Sequence, residues 1–348
     1  MHILIIRLSA MGDVIMASGL MTALRTRYPE ARIDWLTESG NADLLRHHPE
    51  LDTLHLWPRQ SWRKLRQHGQ YGRFLSEART LIHTLRESRY DLVLDLQGLL
   101  KSGIWAWLSG GRRRIGLGSR EGSQWLMTET LDRQIDSPLM GKEYRKLALY
   151  LGAEARHFIP GITVSADDLA EARQLLHDRG LQTAGIVLAP FTTRPQKHWF
   201  ADRWQILAEA LHRQSNLPVL LLGGPGDIET AAQWTEQAAG TLVNLVGQTR
   251  LGVAAALIRQ ARLLIGVDTG LTHLGVVSNT PTLALFGSTR PYLETSNLQA
   301  RVLYQPLTCS PCRRHPTCAG RYDCMALHSP ESVLAEALPL LHGTPSFP

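Results

Sequence analysis

No stretch of this 348-residue sequence approaches the ~20 uninterrupted apolar residues of a membrane-spanning helix. Cysteine is sparse as well: there are four, all between positions 309 and 324, which argues against a secreted disulfide framework. Short-period repeats and low-complexity tracts are missing, so collagen-like and disordered classes are excluded. No Gly-x-Gly-x-x-Gly follows the first strand-like segment, and a dinucleotide site of that kind is not expected.

What is present suits a two-domain enzyme. The 44% hydrophobic content can fill two cores of about 150–170 residues each. A formal net charge of +6 and a pI near 9.3 point toward an anionic partner: phosphate, nucleic acid or a membrane face. The apolar start, Met1 to Arg7, is too short for a signal h-region and runs into polar loop residues. It reads as a buried first strand, and the chain is expected to be intracellular.

Short buried-strand runs alternate with amphipathic stretches. The pattern predicts strands at 1–6, 32–36, 51–57 and 91–96, with helices at 14–28 and 74–89. In the second helix Leu75, Ala78, Leu81, Ile82 and Leu85 fall at helical spacing. After a polar, Gly/Pro-containing stretch near 160–168 the pattern restarts. Strands are predicted at 186–189, 218–222, 262–267 and 282–286, and helices at 201–214, 227–239, 251–260 and from Gly270. Ser329-Pro330 caps and opens a last helix over 330–342. The fold class is α/β: two doubly wound, Rossmann-like domains, 1–160 and 161–348, facing each other across a cleft. Ligands are expected at the carboxyl ends of the strands.

Four loops could carry chemistry. Between the first strand and helix, Arg7-Leu8-Ser9-Ala10-Met11-Gly12-Asp13 combines a glycine for close approach with a carboxylate at a helix start. That carboxylate is either a simple N-cap or a general base for an incoming hydroxyl. In 190–199, Thr192, Thr193, Arg194 and Lys197 make either an anion cradle or a solvated basic loop. In 266–273 a buried strand delivers Asp268, and Gly270 opens a helix whose N-terminal amides suit phosphate. A carboxylate repels phosphate, so Asp268 is expected to accept from sugar hydroxyls instead. Gly223-Gly224-Pro225-Gly226-Asp227 is a glycine-rich turn of the kind that mostly serves geometry.

Taken in order, four blocks resemble the heptosyltransferases, family nine of the glycosyltransferases, which have the GT-B fold. They are Ser9 to Val14, Asp95-Leu96-Gln97-Gly98-Leu99-Leu100-Lys101-Ser102, Lys197-His198-Trp199 and Asp268 to His273. The Met-Gly-Asp and Gln-Gly-Leu-x-Lys-Ser forms look closest to the type I members, which add the first heptose to the Kdo of lipopolysaccharide. The resemblance implies a donor domain at 161–348 and an acceptor domain at 1–160. It implies Asp13 as catalytic base, and Thr192, Thr193 and Lys197 on the donor diphosphate. Asp268, Thr269, Gly270 and His273 match the donor loop. Asp227 stands where the family has a ribose-binding Glu, and Thr249 where a Met packs near the adenine. Ser9, Gly12, Arg63, Lys64, Lys101 and Arg120 match the acceptor side. The partners implied are ADP-heptose and a Kdo-lipid A acceptor, with the protein peripheral on the cytoplasmic face of the inner membrane. One base without an opposing carboxylate nucleophile suggests a single displacement with inversion. Lys197 and a helix N-terminus serve the leaving diphosphate without a catalytic metal.

The segment 57–73 carries Arg59, Arg63, Lys64, Arg66 and Arg73 interleaved with Trp57, Trp62 and Tyr71, and Arg112-Arg113-Arg114 forms a second cluster. These read as a solvated face or, preferably, as a surface for anionic lipid. No nucleic-acid reading motif accompanies them, and nucleic acid is not expected as a partner. Cys309, Cys312, Cys318 and Cys324 supply enough ligands for a structural zinc. The favoured reading is reduced, partly buried thiols.

Overall fold

Parallel strands buried on both faces should read as unbroken apolar runs, and Ile3–Ile6 does. Its four side chains are fully buried at the centre of a parallel sheet. The computed structural model describes residues 1–238, 240–312 and 315–343, and divides the chain into two compact units. The first comprises Met1–Ser137 and Gly141–Thr163; the second takes Pro138–Met140 and the chain from Val164 onwards. The main division therefore lies at 163/164 instead of 160. The short excursion at 138–140 has a local cause: Met140 N donates to Glu294 O (2.9 Å) and Leu293 N to Pro138 O (2.8 Å).

The first unit is built on β1 (His2–Ile6), β2 (Arg32–Glu38), β3 (Thr53–Trp57), β4 (Leu92–Asp95), β5 (Arg113–Leu117) and β6 (Glu129–Leu131). All pair in parallel in the order β3-β2-β1-β4-β5-β6. Its helices are α1 (Met11–Ala17), α2 (Gly19–Arg27), α3 (Ala42–Leu45), α4 (Arg59–Gln67), α5 (Tyr71–Glu87), α6 (Leu100–Leu108) and α7 (Lys142–Tyr150). The single helix expected over 14–28 is two. The interruption falls at Ser18, where the 160–161 backbone passes close by: a Cβ on Gly19 would lie 2.7 Å from Pro160 N, and Gly161 N donates to Ser18 Oγ at 2.9 Å.

The second unit repeats the topology with β7 (Ile186–Ala189), β8 (Val219–Leu221), β9 (Leu242–Asn244), β10 (Leu263–Val267), β11 (Thr282–Phe286) and β12 (Ala300–Tyr304). Its order is β12-β11-β10-β7-β8-β9. Around it lie α8 (Ala166–His177), α9 (Ala201–Ser215), α10 (Ile228–Gln237), α11 (Leu251–Gln260), α12 (Gly270–Val277), α13 (Asp323–Ala326) and α14 (Pro330–His342). The helix expected over 227–239 is α10; position 239 lies outside the described residues. Trp199 meets Trp204 edge-on at 5.0 Å in a core shared with Leu188, Leu207, Ile265 and Leu341. Each such side chain contributes about 1.5–3 kcal/mol by leaving water. Ser329 Oγ caps α14 by accepting from Ser332 N, with Pro330 at the first helical position, as its sequence signature predicts.

Both sheets reverse their strand order once, between β1 and β4 and between β7 and β10. In open α/β sheets that reversal opens a crevice at the carboxyl ends of the two strands.

Candidate functional site

In the first unit the loop after β1 and the loop after β4 meet at this reversal. Asp13 stands in the first turn of α1 and accepts from Ala10 N at 3.3 Å. Its carboxylate also pairs with the buried guanidinium of Arg7, which donates at 2.9 Å to the carbonyl of Leu96 beyond β4. Burial opposes the Arg7 charge, but Tyr144 and Asp13 outweigh it and hold the guanidinium above its usual range. Tyr144, fully buried on α7, places its hydroxyl 3.5 Å from the other Asp13 oxygen. Desolvation pushes that phenol far up, so it stays protonated and can donate.

Gln97 sets this loop in place. Its Oε1 accepts from Leu8 N (3.1 Å) and Ser9 N (3.4 Å), while its own N and Gly98 N donate to Asp95 Oδ1. Lys101 Nζ reaches Ser9 Oγ at 3.4 Å and Glu38 at 3.6 Å. Asp13 keeps 33% of its side chain exposed. The result is an oriented carboxylate that stays partly open.

In the second unit, Lys197 follows β7 and Asp268 follows β10. The Lys197 ammonium pairs with Asp268 Oδ2, which also accepts from Thr289 Oγ1 at 2.6 Å. His273 Nε2 lies 3.3 Å from Asp268 Oδ1, and its Nδ1 lies 2.9 Å from Tyr292 OH. Burial alone would raise the Asp268 carboxyl; His273 and Lys197 prevail and hold it well below the ordinary range. Both oxygens of Asp268 are thus engaged by the chain, three donors in all, and a carboxylate of this kind has room for a further one. Thr269 is the N-cap of α12, and the N–H groups of Gly270, Leu271 and Thr272 precede the first intrahelical donor, His273 N.

The family model described as "Glycosyltransferase family 9 (heptosyltransferase)" matches residues 78–323. Lipopolysaccharide heptosyltransferase 1 of Pseudomonas aeruginosa is 30% identical over 322 residues, covering 90% of this chain and 86% of that protein. The chain belongs to glycosyltransferase family 9. A crystal structure of a family 9 glycosyl transferase from Veillonella parvula superposes with TM-score 0.80 at 21% identity, over 98% of this chain and 97% of that one. The ADP-heptose lipopolysaccharide heptosyltransferase II of Escherichia coli superposes with TM-score 0.75 at 26% identity, over 99% of each. The fold is GT-B, and the chain is a heptosyltransferase of the lipopolysaccharide core.

The remaining expected positions of this family 9 protein lie on several loops and helices of the two units. On the donor side, His198 Nε2 donates to Thr192 O at 2.8 Å, and Thr193 is exposed on the same loop. Asp227 accepts from Gly224 N at 2.9 Å, and the turn it closes abuts Phe191. Thr249 lies just before α11, on a segment whose Gly247 touches Ile228 and Pro225. Loops from β7, β8, β9 and β10 therefore converge. On the acceptor side, Gly12 lies within α1, and Arg120 N donates to Gly98 O at 2.9 Å beside the Gln97 turn. Arg63 and Lys64 lie on the exposed side of α4, which is linked toward the Asp13 loop through Arg59–Glu38–Lys101. The basic segment's aromatics are partly misread: Trp62 is buried against Phe74 and Trp105, and Trp57 packs on Trp105, while Tyr71 alone is well exposed.

Cys309, Cys312, Cys318 and Cys324 are free thiols, and burial together with the neighbouring thiols pushes Cys312 and Cys324 up. Among the described residues no group of three or more His, Cys, Asp or Glu side chains is arranged to hold a metal. Tyr144, Thr289 and Tyr292 escape sequence reasoning: each is a common residue far from its partner in the chain.

Proposed function

We propose that this chain transfers heptose from ADP-L-glycero-D-manno-heptose to a Kdo hydroxyl of the lipopolysaccharide inner core, working peripherally at the cytoplasmic face of the inner membrane. One observation carries the reading. Each unit places its charged cluster at the strand-order reversal, and the two clusters are chemically complementary. The first offers the open carboxylate of Asp13; the second offers the Lys197 ammonium beside the amides that open α12. Similarity to the lipopolysaccharide heptosyltransferase 1 of Pseudomonas aeruginosa favours the type I reading.

In the reaction the acceptor oxygen attacks the anomeric carbon of heptose as the bond to the diphosphate breaks. The hydroxyl proton passes to Asp13, whose carboxylate Arg7 and Tyr144 hold in orientation. ADP leaves with its new negative charge met by Lys197 and the α12 amides. Asp268 keeps Lys197 poised, and the ammonium turns from it to the diphosphate when donor binds. Thr192 and Thr193 add hydroxyls to that cradle, Asp227 contacts the ribose and Thr249 the adenine. Ser9, Gly12, Lys101 and Arg120 border the acceptor sugar, while Arg63 and Lys64 meet the acidic lipid portion. A single displacement inverts the anomeric centre.

The likeness over 99% of heptosyltransferase II favours a second reading, in which the acceptor hydroxyl belongs to the first heptose. Purified protein incubated with ADP-heptose and either a deacylated Kdo acceptor or its heptosylated form separates the two by product mass. Asp13→Asn is expected to lower turnover by about 10²–10⁴-fold while ADP affinity changes less than about twofold. Retained turnover would remove the assigned base.

A further inference from the structure

Helix α6 begins beside the Asp13 loop, with Lys101 against Ser9. Its inner face, Ser102, Trp105 and Ala106, is buried, whereas Leu100, Ile104 and Trp107 are between 41% and 51% exposed. Those three stand at i, i+4 and i+7, so they form one apolar stripe along the outside of the helix. The stripe does not end there. A Cβ on Gly103 would lie 2.8 Å from Ser123 Cβ, so the turn Ser123–Leu126 packs against α6 one helical turn before Trp107. That turn projects Trp125, 84% exposed. Two tryptophans, a leucine and an isoleucine on one outer layer are not accounted for by a solvated surface.

On its other flank α6 adjoins α4 through the Trp62–Trp105 contact (6.0 Å). Helix α4 contains Arg59, Arg63, Lys64 and Arg66 and no acidic residue. An apolar ridge ending in tryptophan, flanked by a helix of uniform positive charge, is complementary to one kind of partner: a bilayer surface with anionic headgroups. We propose that the α4–α6 layer of the first unit is the membrane-docking face. Leu100, Ile104, Trp107 and Trp125 enter the boundary between headgroups and acyl chains, and the α4 cations lie among the headgroups. This rests on the reading that the acceptor is lipid-anchored. The Asp13 loop adjoins the amino end of the same stripe, so the carboxylate is carried close to the headgroup plane, where such an acceptor presents its sugar.

The test is co-flotation of the full-length protein with vesicles of phosphatidylethanolamine and phosphatidylglycerol, against pure phosphatidylcholine, without donor or acceptor. The protein is expected to float with the anionic vesicles, less so at 0.5 M salt than at about 0.1 M. The triple substitution Ile104→Ser, Trp107→Ser, Trp125→Ser should lower the vesicle partition coefficient at least about tenfold. The same variant should keep its thermal midpoint and its turnover on a deacylated, soluble acceptor, and lose turnover on vesicle-embedded acceptor. Equal flotation of variant and parent would overturn the proposal. So would a parent that fails to float but forms a dimer the substitutions dissociate, because the face would then belong to a second copy. Flotation without turnover on any heptose acceptor would sink the proposed reaction and leave the docking face standing; turnover on soluble acceptor without flotation would do the reverse.

Discussion

Asp268→Asn isolates the electrostatics of the second unit. The native carboxylate is nearly enclosed, with Lys197 and Thr289 on one oxygen and His273 on the other. Asparagine keeps the shape and can still accept from Thr289, but it leaves the Lys197 ammonium without its counter-charge. Removing one member of a buried pair costs about 3–5 kcal/mol, and partial exposure of Lys197 places the expected loss near the lower end, about 3 kcal/mol. For a unit of this size that is a fall of about 6–12 °C in its unfolding midpoint. The sign of the pH dependence follows from the depressed carboxyl. The stabilisation is complete above the unfolded value near 3.9 and is lost only as pH falls below it, so parent and variant should converge in acid. Differential scanning calorimetry at several pH values reads the difference. A double-mutant cycle with Lys197→Met should give a coupling of about 2 kcal/mol. A loss below about 0.5 kcal/mol, or a coupling near zero, would refute the account of Asp268 as the holder of Lys197.

Three further outcomes are expected. Gln97→Leu leaves the Leu8 and Ser9 amides without their acceptor, so stability should fall by about 1–3 kcal/mol by chemical denaturation, with kcat falling more than donor affinity. Gly223→Ala would drive a methyl to 2.5 Å from Phe191 Cδ2, whereas Gly224→Ala meets only an ordinary 3.6 Å contact. The first should weaken ADP binding in a titration and the second leave it intact. In the first unit, buried Asp34 is pulled down to about 2 because hydrogen bonds from His55 and Tyr90 and the charge of His2 exceed the cost of burying it. Asp34→Asn should therefore cost about 2 kcal/mol at pH 7, a gap that narrows as pH falls from about 4 toward 2.

The sheet-forming segments were legible where burial on both faces writes a plain apolar run, as at Ile3–Ile6, Ile186–Ala189 and Thr282–Phe286. Helix α4 was hidden because only Trp62 of its nine residues is buried, and its charge invites reading it as a loop. Strands β6, β9 and β12 are short or half-buried and carry little periodic signal. The close approach of Gly19 to Pro160, more than a hundred positions away, is encoded by no local pattern. The charged site residues stood out because loops after buried strands are where such residues cost least. Their partners did not: Tyr144 looks like any core tyrosine of an amphipathic helix, and Thr289 like any loop threonine.

The pairings that define the two clusters span long stretches of chain: Asp13 meets Tyr144 across 131 positions, and Lys197 meets Asp268 across 71. Neither can form from a hairpin or a helix on its own. The first waits until α7 has docked beside the helices that follow β1, the second until β7 and β10 have zipped side by side, and such non-local pairing is slow to nucleate. Partly folded chains in the cell therefore carry neither an oriented acid nor a clamped ammonium, and competence for transfer should be acquired late and abruptly as each sheet closes.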